Sequence, residues 1–127
     1  MPQTLSELQA QHLQSCSTDF SYWSAADAKI VNENAELVGI GGLFPGPRRV
    51  VEAIERQHAA GHAARVIVLK ARRHRISATV QAYFQWTMLF RGRNLNAVTI
   101  ADLQERTDKM IEFQATFWQH LPEWYRP

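Results

Sequence analysis

Residues 96–119, NAVTIADLQERTDKMIEFQATFWQ, decide the fold that the sequence predicts. They divide into two candidate strands joined by a short turn, the first covering residues 96–105 and the second residues 109–119. One carboxylate, Asp102, lies inside the first of these segments, between Ile100 and Leu103. A charged group in a buried strand needs a partner or a chemical task, because an unpaired charge is costly to remove from water. The stretch therefore bears on both the fold and the candidate site.

The preceding segment, residues 76–90, also has the pattern of a strand. Its sequence ISATVQAYFQWTMLF alternates between two faces, one of which carries Val80, Ala82, Phe84, Trp86, Met88 and Phe90. Residues 64–71 predict a further strand, and RGRN at 91–94 predicts a hairpin turn. These segments together predict an antiparallel meander in the second half of the chain.

The first half of the chain has helical spacing instead. Apolar positions and capping residues predict helices over residues 5–15, 19–26 and 48–60. Residues 27–31 begin an extended piece, and a short strand is expected at 36–40. Helices followed by an antiparallel sheet indicate an α+β fold, in which a curved sheet packs on about three N-terminal helices. The length of 127 residues fits a single domain, 1–127.

Composition and charge exclude several classes of function. No apolar run approaches the roughly 20 residues that cross a bilayer, and the first residues do not have the pattern of a secretory signal. The lack of such a run indicates no membrane partner, and the single cysteine, Cys16, favours a reducing cytoplasm. The net charge of +2 is too small to indicate nucleic acid. The basic run KARRHR at 70–75 is interpreted as a charged turn or strand edge, with a phosphate-binding stripe as the alternative.

Four segments resemble one protein superfamily. They are YWSAADAKIV (22–31), GPRRVVEAIERQHAAG (46–61), QAYFQWTMLFRGRNL (81–95) and IADLQERTDKMIEFQATFW (100–118). In this order they resemble the NTF2-like superfamily, in particular its SnoaL-like and ketosteroid-isomerase-like branch, over about residues 5–119. The resemblance implies a cone-shaped α+β domain with an apolar cavity, and a homodimer.

The same resemblance implies catalytic residues. It places Asp102 where family enzymes hold a pocket carboxyl, which acts as an acid or a base, and it places Asn32 as a polarising amide. The alternative for Asp102 is a solvent-facing ion pair with Arg91, Arg93 or Arg106. Both positions remain open, because neither face of its predicted strand is fully polar.

Aromatic side chains and one histidine are the candidates for binding a ligand. The predicted ligand-binding residues are Trp23, His58, Trp86, Phe117 and Trp118. We expect no cofactor and no metal, because the histidines lack HxxxH or HxH spacing and the chain has one cysteine. The predicted function is acid–base catalysis, an aldol-type cyclisation or an isomerisation, on a small hydrophobic carbonyl compound. A protein that binds a small ligand without turnover and a dimeric accessory subunit are the alternatives.

Overall fold

The described part of the chain contains five α-helices and one small sheet. The computed structural model describes residues 2–31, 34–40, 45–69, 76–92 and 95–126, with side chains from residue 7 onward. In chain order the elements are α1 (Pro2–Thr18), α2 (Phe20–Ala26), β1 (Lys29–Val31), β2 (Leu37–Gly39), α3 (Pro45–Ala59), α4 (Ile76–Trp86) with a π-helical turn (Thr87–Arg91), and α5 (Gln104–Gln119). The fold is thus mixed helix with a two-stranded antiparallel sheet, which is α+β in the broad sense.

The first half of the chain follows its local signals. Asp19 caps α2, since its side chain accepts a hydrogen bond from the Ser21 N–H at 2.9 Å. β1 and β2 pair antiparallel, with Ile30 opposite Val38. The helices predicted at 5–15, 19–26 and 48–60 and the short strand at 36–40 are confirmed, each within a few residues of its predicted bounds.

The second half of the chain departs from the prediction. The strands predicted at 76–90 and 109–119 are wrong, because these residues form α4 with its π-helical turn and α5. The strand predicted at 96–105 is also wrong, since residues 95–101 have no regular structure and α5 begins at Gln104. Residues 63–69 also lack regular structure, so the strand predicted at 64–71 is wrong over its described part. The predicted turn at 91–94 and the run at 70–75 fall partly or wholly outside the described residues.

Packing explains why helix replaces strand in these segments. In α4, Ala78, Ala82 and Trp86 recur every fourth residue and are all buried, as are Thr79 and Tyr83 on the adjoining strip. Odd- and even-numbered positions of this segment are therefore both buried. The alternation in the sequence did not indicate which residues face the core. In α5 the covered positions are likewise spaced by three and four residues, at Met110, Phe113, Gln114, Phe117 and then Leu121.

The core lies where α1, α2, α4 and α5 meet. Trp23, Trp86 and Phe117 are its largest fully buried side chains. The Trp86 indole N–H donates to the carbonyl oxygen of Cys16 at 2.7 Å, which joins α4 to α1. The Gln114 amide donates at 2.8 Å to the carbonyl oxygen of Gln81, which joins α5 to α4. None of the described helices is both long enough and apolar enough to cross a membrane.

Candidate functional site

An apolar cavity of about 620 Å³ opens beside α3 and α4. The irregular segments 63–69 and 95–100 form its other walls. Most of the lining is aliphatic or aromatic, and the main contributors are Val50, Ile54, Val66, Val68, Val80 and Phe84. Four lining residues, His58, Tyr83, Thr87 and Asn96, bring polar side-chain atoms. An apolar concave surface with few polar groups has the composition of a small-molecule site.

The Tyr83 hydroxyl is held by a carboxylate from α3. It donates to Glu55 Oε1 at 3.0 Å. Burial raises the pKa of Tyr83 above its ordinary value, and the hydrogen bond to Glu55 and the negative charge of that carboxylate raise it further, against a smaller opposing effect of Arg91. The phenol therefore stays protonated through the neutral pH range.

The predicted ligand-binding residues are distributed over three environments. His58 lines the cavity. Trp23, Trp86 and Phe117 are core residues with at most 1% exposure and do not line it. Trp118 is 40% exposed on α5. Trp86 and Phe117 pack between helices because the helical pitch of α4 and α5 turns them away from the cavity, and Trp23 is buried on α2.

The pocket position predicted for Asp102 is corrected by the structure. Asp102 lies just before α5, with its side chain 65% exposed, and accepts two hydrogen bonds from Arg106 Nη1 at 2.9 and 3.0 Å. This is the surface ion pair that the sequence left open as the alternative. The strand that was to carry Asp102 into a pocket does not form, so the carboxylate turns to solvent. Asn32, the other predicted catalytic residue, lies outside the described residues.

A second candidate site is a buried polar cluster that the sequence prediction missed. His12 and Cys16 lie one turn apart on α1, and Asp27 follows the last residue of α2. His12 Nε2 is 2.7 Å from Asp27 Oδ2, and Cys16 Sγ is 3.4 Å from His12 Nε2 and 3.6 Å from Asp27 Oδ2. The nitrogen, sulfur and oxygen atoms thus converge on one point.

Three aromatic residues complete the surroundings of this cluster. The Tyr125 hydroxyl donates to Asp27 Oδ2, and Tyr22 Oη is 3.1 Å from His12 Nδ1. Trp23 Nε1 is fully buried and has no hydrogen-bond partner among the described residues. Burial and Asp27 raise the pKa of the Tyr125 phenol. The side chain of Trp23 lowers the same pKa by a smaller amount.

The hydrogen bonds of the cluster fit one arrangement of its protons. Asp27 Oδ2 receives donors from His12, Cys16 and Tyr125, as an ionised, acceptor-only carboxylate does. With a neutral imidazole, His12 Nε2–H donates to Asp27 Oδ2 and Nδ1 accepts from the Tyr22 hydroxyl. Burial, the charge of Asp27 and the hydrogen bond to it raise the pKa of Cys16 to about 12, so the thiol is protonated.

This geometry is unsuited to nucleophilic catalysis. In a catalytic triad the histidine bridges the nucleophile and the acid through its two different nitrogens. Here the thiol and the carboxylate both approach Nε2, and the thiol is not ionised. The arrangement suits a metal ligand set better. The spacing His-x-x-x-Cys at the end of the predicted helix 5–15 was the sequence signal for it, and Asp27 and Tyr125 join it only in the folded chain.

No family model, curated protein or solved structure matches the chain.

Proposed function

We propose that this protein binds a small, mainly apolar molecule in the cavity between α3, α4 and the segments 63–69 and 95–100. The observation that carries the proposal is a space of about 620 Å³ whose walls are mostly aliphatic. Sites for small molecules typically occupy roughly 300–1,000 Å³ and combine apolar walls with a few polar groups.

The polar lining residues indicate the character of the ligand. The Tyr83 hydroxyl donates its proton in the hydrogen bond to Glu55. Its oxygen can therefore accept a hydrogen bond from a donor on the ligand. His58, at the end of α3, is an exposed residue at the cavity and can donate or accept. A flat or branched apolar body with one hydroxyl or carbonyl group matches these contacts.

The positions of the acidic residues support binding of the ligand without turnover. Asp102 is on the surface, paired with Arg106, and does not line the cavity. Acid–base catalysis on a hydrophobic carbonyl compound stays a prediction, and it would need a proton donor or acceptor within hydrogen-bond reach of the ligand. Glu55, which holds Tyr83, is the carboxylate attached by a hydrogen bond to a lining residue.

Membership of the NTF2-like superfamily, with its cone-shaped curved sheet, also stays a prediction, as does a cytoplasmic location. The same holds for the homodimer. Large apolar side chains that are exposed on the irregular segments favour self-association, because uncovered apolar surface is a mark of interaction sites. They are Ile67, Leu69, Val98 and Ile100.

The test uses 2-naphthol as the probe, because it has an apolar double ring and one hydroxyl group. At about −0.4 kcal/mol for each of its roughly 11 non-hydrogen atoms, the binding free energy is about −4.4 kcal/mol, or a Kd near 1 mM. Methyl-detected NMR follows the titration. We expect saturable shifts at the lining residues Val50 and Val80 and none at Val31, which is exposed on β1.

A matched pair of variants locates the binding. Ala97 lines the cavity, whereas Ala115 is exposed on α5 and does not. Ala97→Trp fills part of the space and is expected to weaken binding by at least about fivefold, or ~1 kcal/mol. Ala115→Trp should leave the affinity unchanged. Shifts that never saturate, or equal affinities in the two variants, would overturn the proposal.

A further inference from the structure

We propose that His12, Cys16 and Asp27 bind a divalent transition-metal ion of the Zn²⁺ and Co²⁺ class. This site is separate from the apolar cavity and does not depend on the function proposed for it. Its donors are an imidazole nitrogen, a thiol sulfur and a carboxylate oxygen, which lie within 4.8 Å of one another. A mixed nitrogen, sulfur and oxygen set selects zinc-like ions over Mg²⁺ and Ca²⁺, which prefer oxygen alone.

The distances between the three donors fit a single ion. Tetrahedral coordination with bonds of about 2.0 Å to nitrogen or oxygen and about 2.3 Å to sulfur places the donors roughly 3.3–3.6 Å apart. The observed separations from sulfur are 3.4 Å to His12 Nε2 and 3.6 Å to Asp27 Oδ2. The separation of 2.7 Å between His12 and Asp27 widens when an ion replaces the proton between them.

The charges also favour an ion at this place. The carboxylate of Asp27 is buried, with a side chain 8% exposed, and its neighbours Cys16 and Tyr125 are uncharged donors. A divalent cation together with the carboxylate and a thiolate makes a neutral centre, which is less costly to bury than a lone charge. A bound cation likewise lowers the pKa of a coordinating thiol, which offsets the effect of burial on Cys16.

The proton balance of binding follows from the hydrogen bonds. The Cys16 thiol loses its proton to solvent, and the sulfur forms the metal bond. The metal replaces the proton on His12 Nε2, and Nδ1 takes up a proton. The Nδ1–H group then donates a hydrogen bond to Tyr22 Oη, which lies 3.1 Å from Nδ1 in the structure. One proton is released overall. Such a contact from the second ring nitrogen is the usual support of a metal-bound histidine.

An ion can reach the three donors, and its fourth coordination position is left for a small ligand. The His12 side chain is 24% exposed, which gives an ion a route to the buried thiol. Three protein ligands leave one position for water or another small oxygen ligand.

The experiment titrates Co²⁺ into the reduced, oxygen-free protein. A tetrahedral Co²⁺ centre with a thiolate ligand gives an intense thiolate-to-metal charge-transfer band. Cys16 is the only cysteine of the chain, so such a band identifies it without ambiguity. We expect a saturable band with one ion per chain, reversed by Zn²⁺, and release of about one proton per ion.

Variants separate a built site from scattered surface binding. Cys16→Ser should abolish the band, and His12→Gln should weaken binding by more than the roughly 10–100-fold typical of losing a supporting contact. Tyr22→Phe should weaken it by about tenfold. His62→Gln is the matched control, because this histidine is exposed after α3 and is not one of the three clustered residues. Circular dichroism checks that each variant is folded.

Two outcomes would overturn the inference. One is the absence of a thiolate band at millimolar Co²⁺ in the wild-type protein. The other is binding without that band that persists in Cys16→Ser and falls in His62→Gln, which would assign the ion to surface histidines. Because the wild-type band is itself diagnostic, the result stands even if a ligand variant fails to fold.

Discussion

Replacing Tyr125 by phenylalanine tests whether the buried cluster holds the C-terminal segment to α1 and α2. The substitution keeps the ring, which packs near Phe90 and Trp124, and removes only the hydroxyl that donates to Asp27 Oδ2. Because this bond spans 98 positions of sequence, it acts only in the folded state.

The expected loss of stability depends on the other donors to the Asp27 carboxylate. A hydrogen bond to a charged group contributes about 1.5–3 kcal/mol. Asp27 keeps its contacts with His12 and Cys16 in the variant, so the loss belongs at the lower end, near 1.5 kcal/mol. With an unfolding entropy of about 2.1 cal/mol/K per residue over 127 residues, this is a fall of roughly 6 °C in Tm.

The assay is thermal unfolding near neutral pH, with Tyr22→Phe as the matched control. Tyr22 is 40% exposed, and its hydroxyl makes a solvent-exposed contact with His12 and none with Asp27. We expect this control to change stability by no more than about 0.5 kcal/mol, or roughly 2 °C. An unchanged Tm in Tyr125→Phe, or an equal fall in both variants, would refute the role assigned to the Asp27 contacts.

Two further predictions concern the same core. Above pH 9.0 the Cys16 thiol ionises in the unfolded chain, whereas the folded protein retains the proton to about pH 12. The folded state then binds more protons, so the free energy of unfolding falls as pH rises, by about 1.4 kcal/mol between pH 8 and pH 10. Urea unfolding at the two values measures this, and an equal dependence in Cys16→Ser would contradict it. On α5, Phe117→Ala should cost about 3–5 kcal/mol, because the ring is fully buried. Trp118→Ala, at a side chain 40% exposed, should cost less than half as much in the same denaturation assay; similar losses would mean that α5 presents a different face to the core.

The candidate sites were predictable only in part. His58 was expected at a ligand site and lines the cavity. Asp102 was expected in a pocket or in a surface ion pair, and the structure has the pair with Arg106. The His12 and Cys16 spacing on α1 was visible in the sequence. The third ligand atom, from Asp27, was not, because it depends on how α2 packs against α1.

The first half of the chain was determined by its sequence. Caps, apolar spacing and Gly- and Pro-rich loops act within a few residues, and the hydrogen bonds of α1, α2 and α3 close within four residues. Such signals can be recognised without knowing any other part of the chain, and the predicted helices and the short strand there are confirmed.

The second half was decided by tertiary structure. Residues 76–91 and 104–119 are apolar on more than one side, so their pattern is compatible with a strand as well as a helix. A strand needs a neighbouring strand for its backbone hydrogen bonds, whereas a helix satisfies them internally. In the described parts of the chain, only β1 and β2 pair as strands. Packing of α4 and α5 against α1 and α2 therefore selected helix. The same packing brought residues 12, 16, 27 and 125 together, which no local pattern could determine.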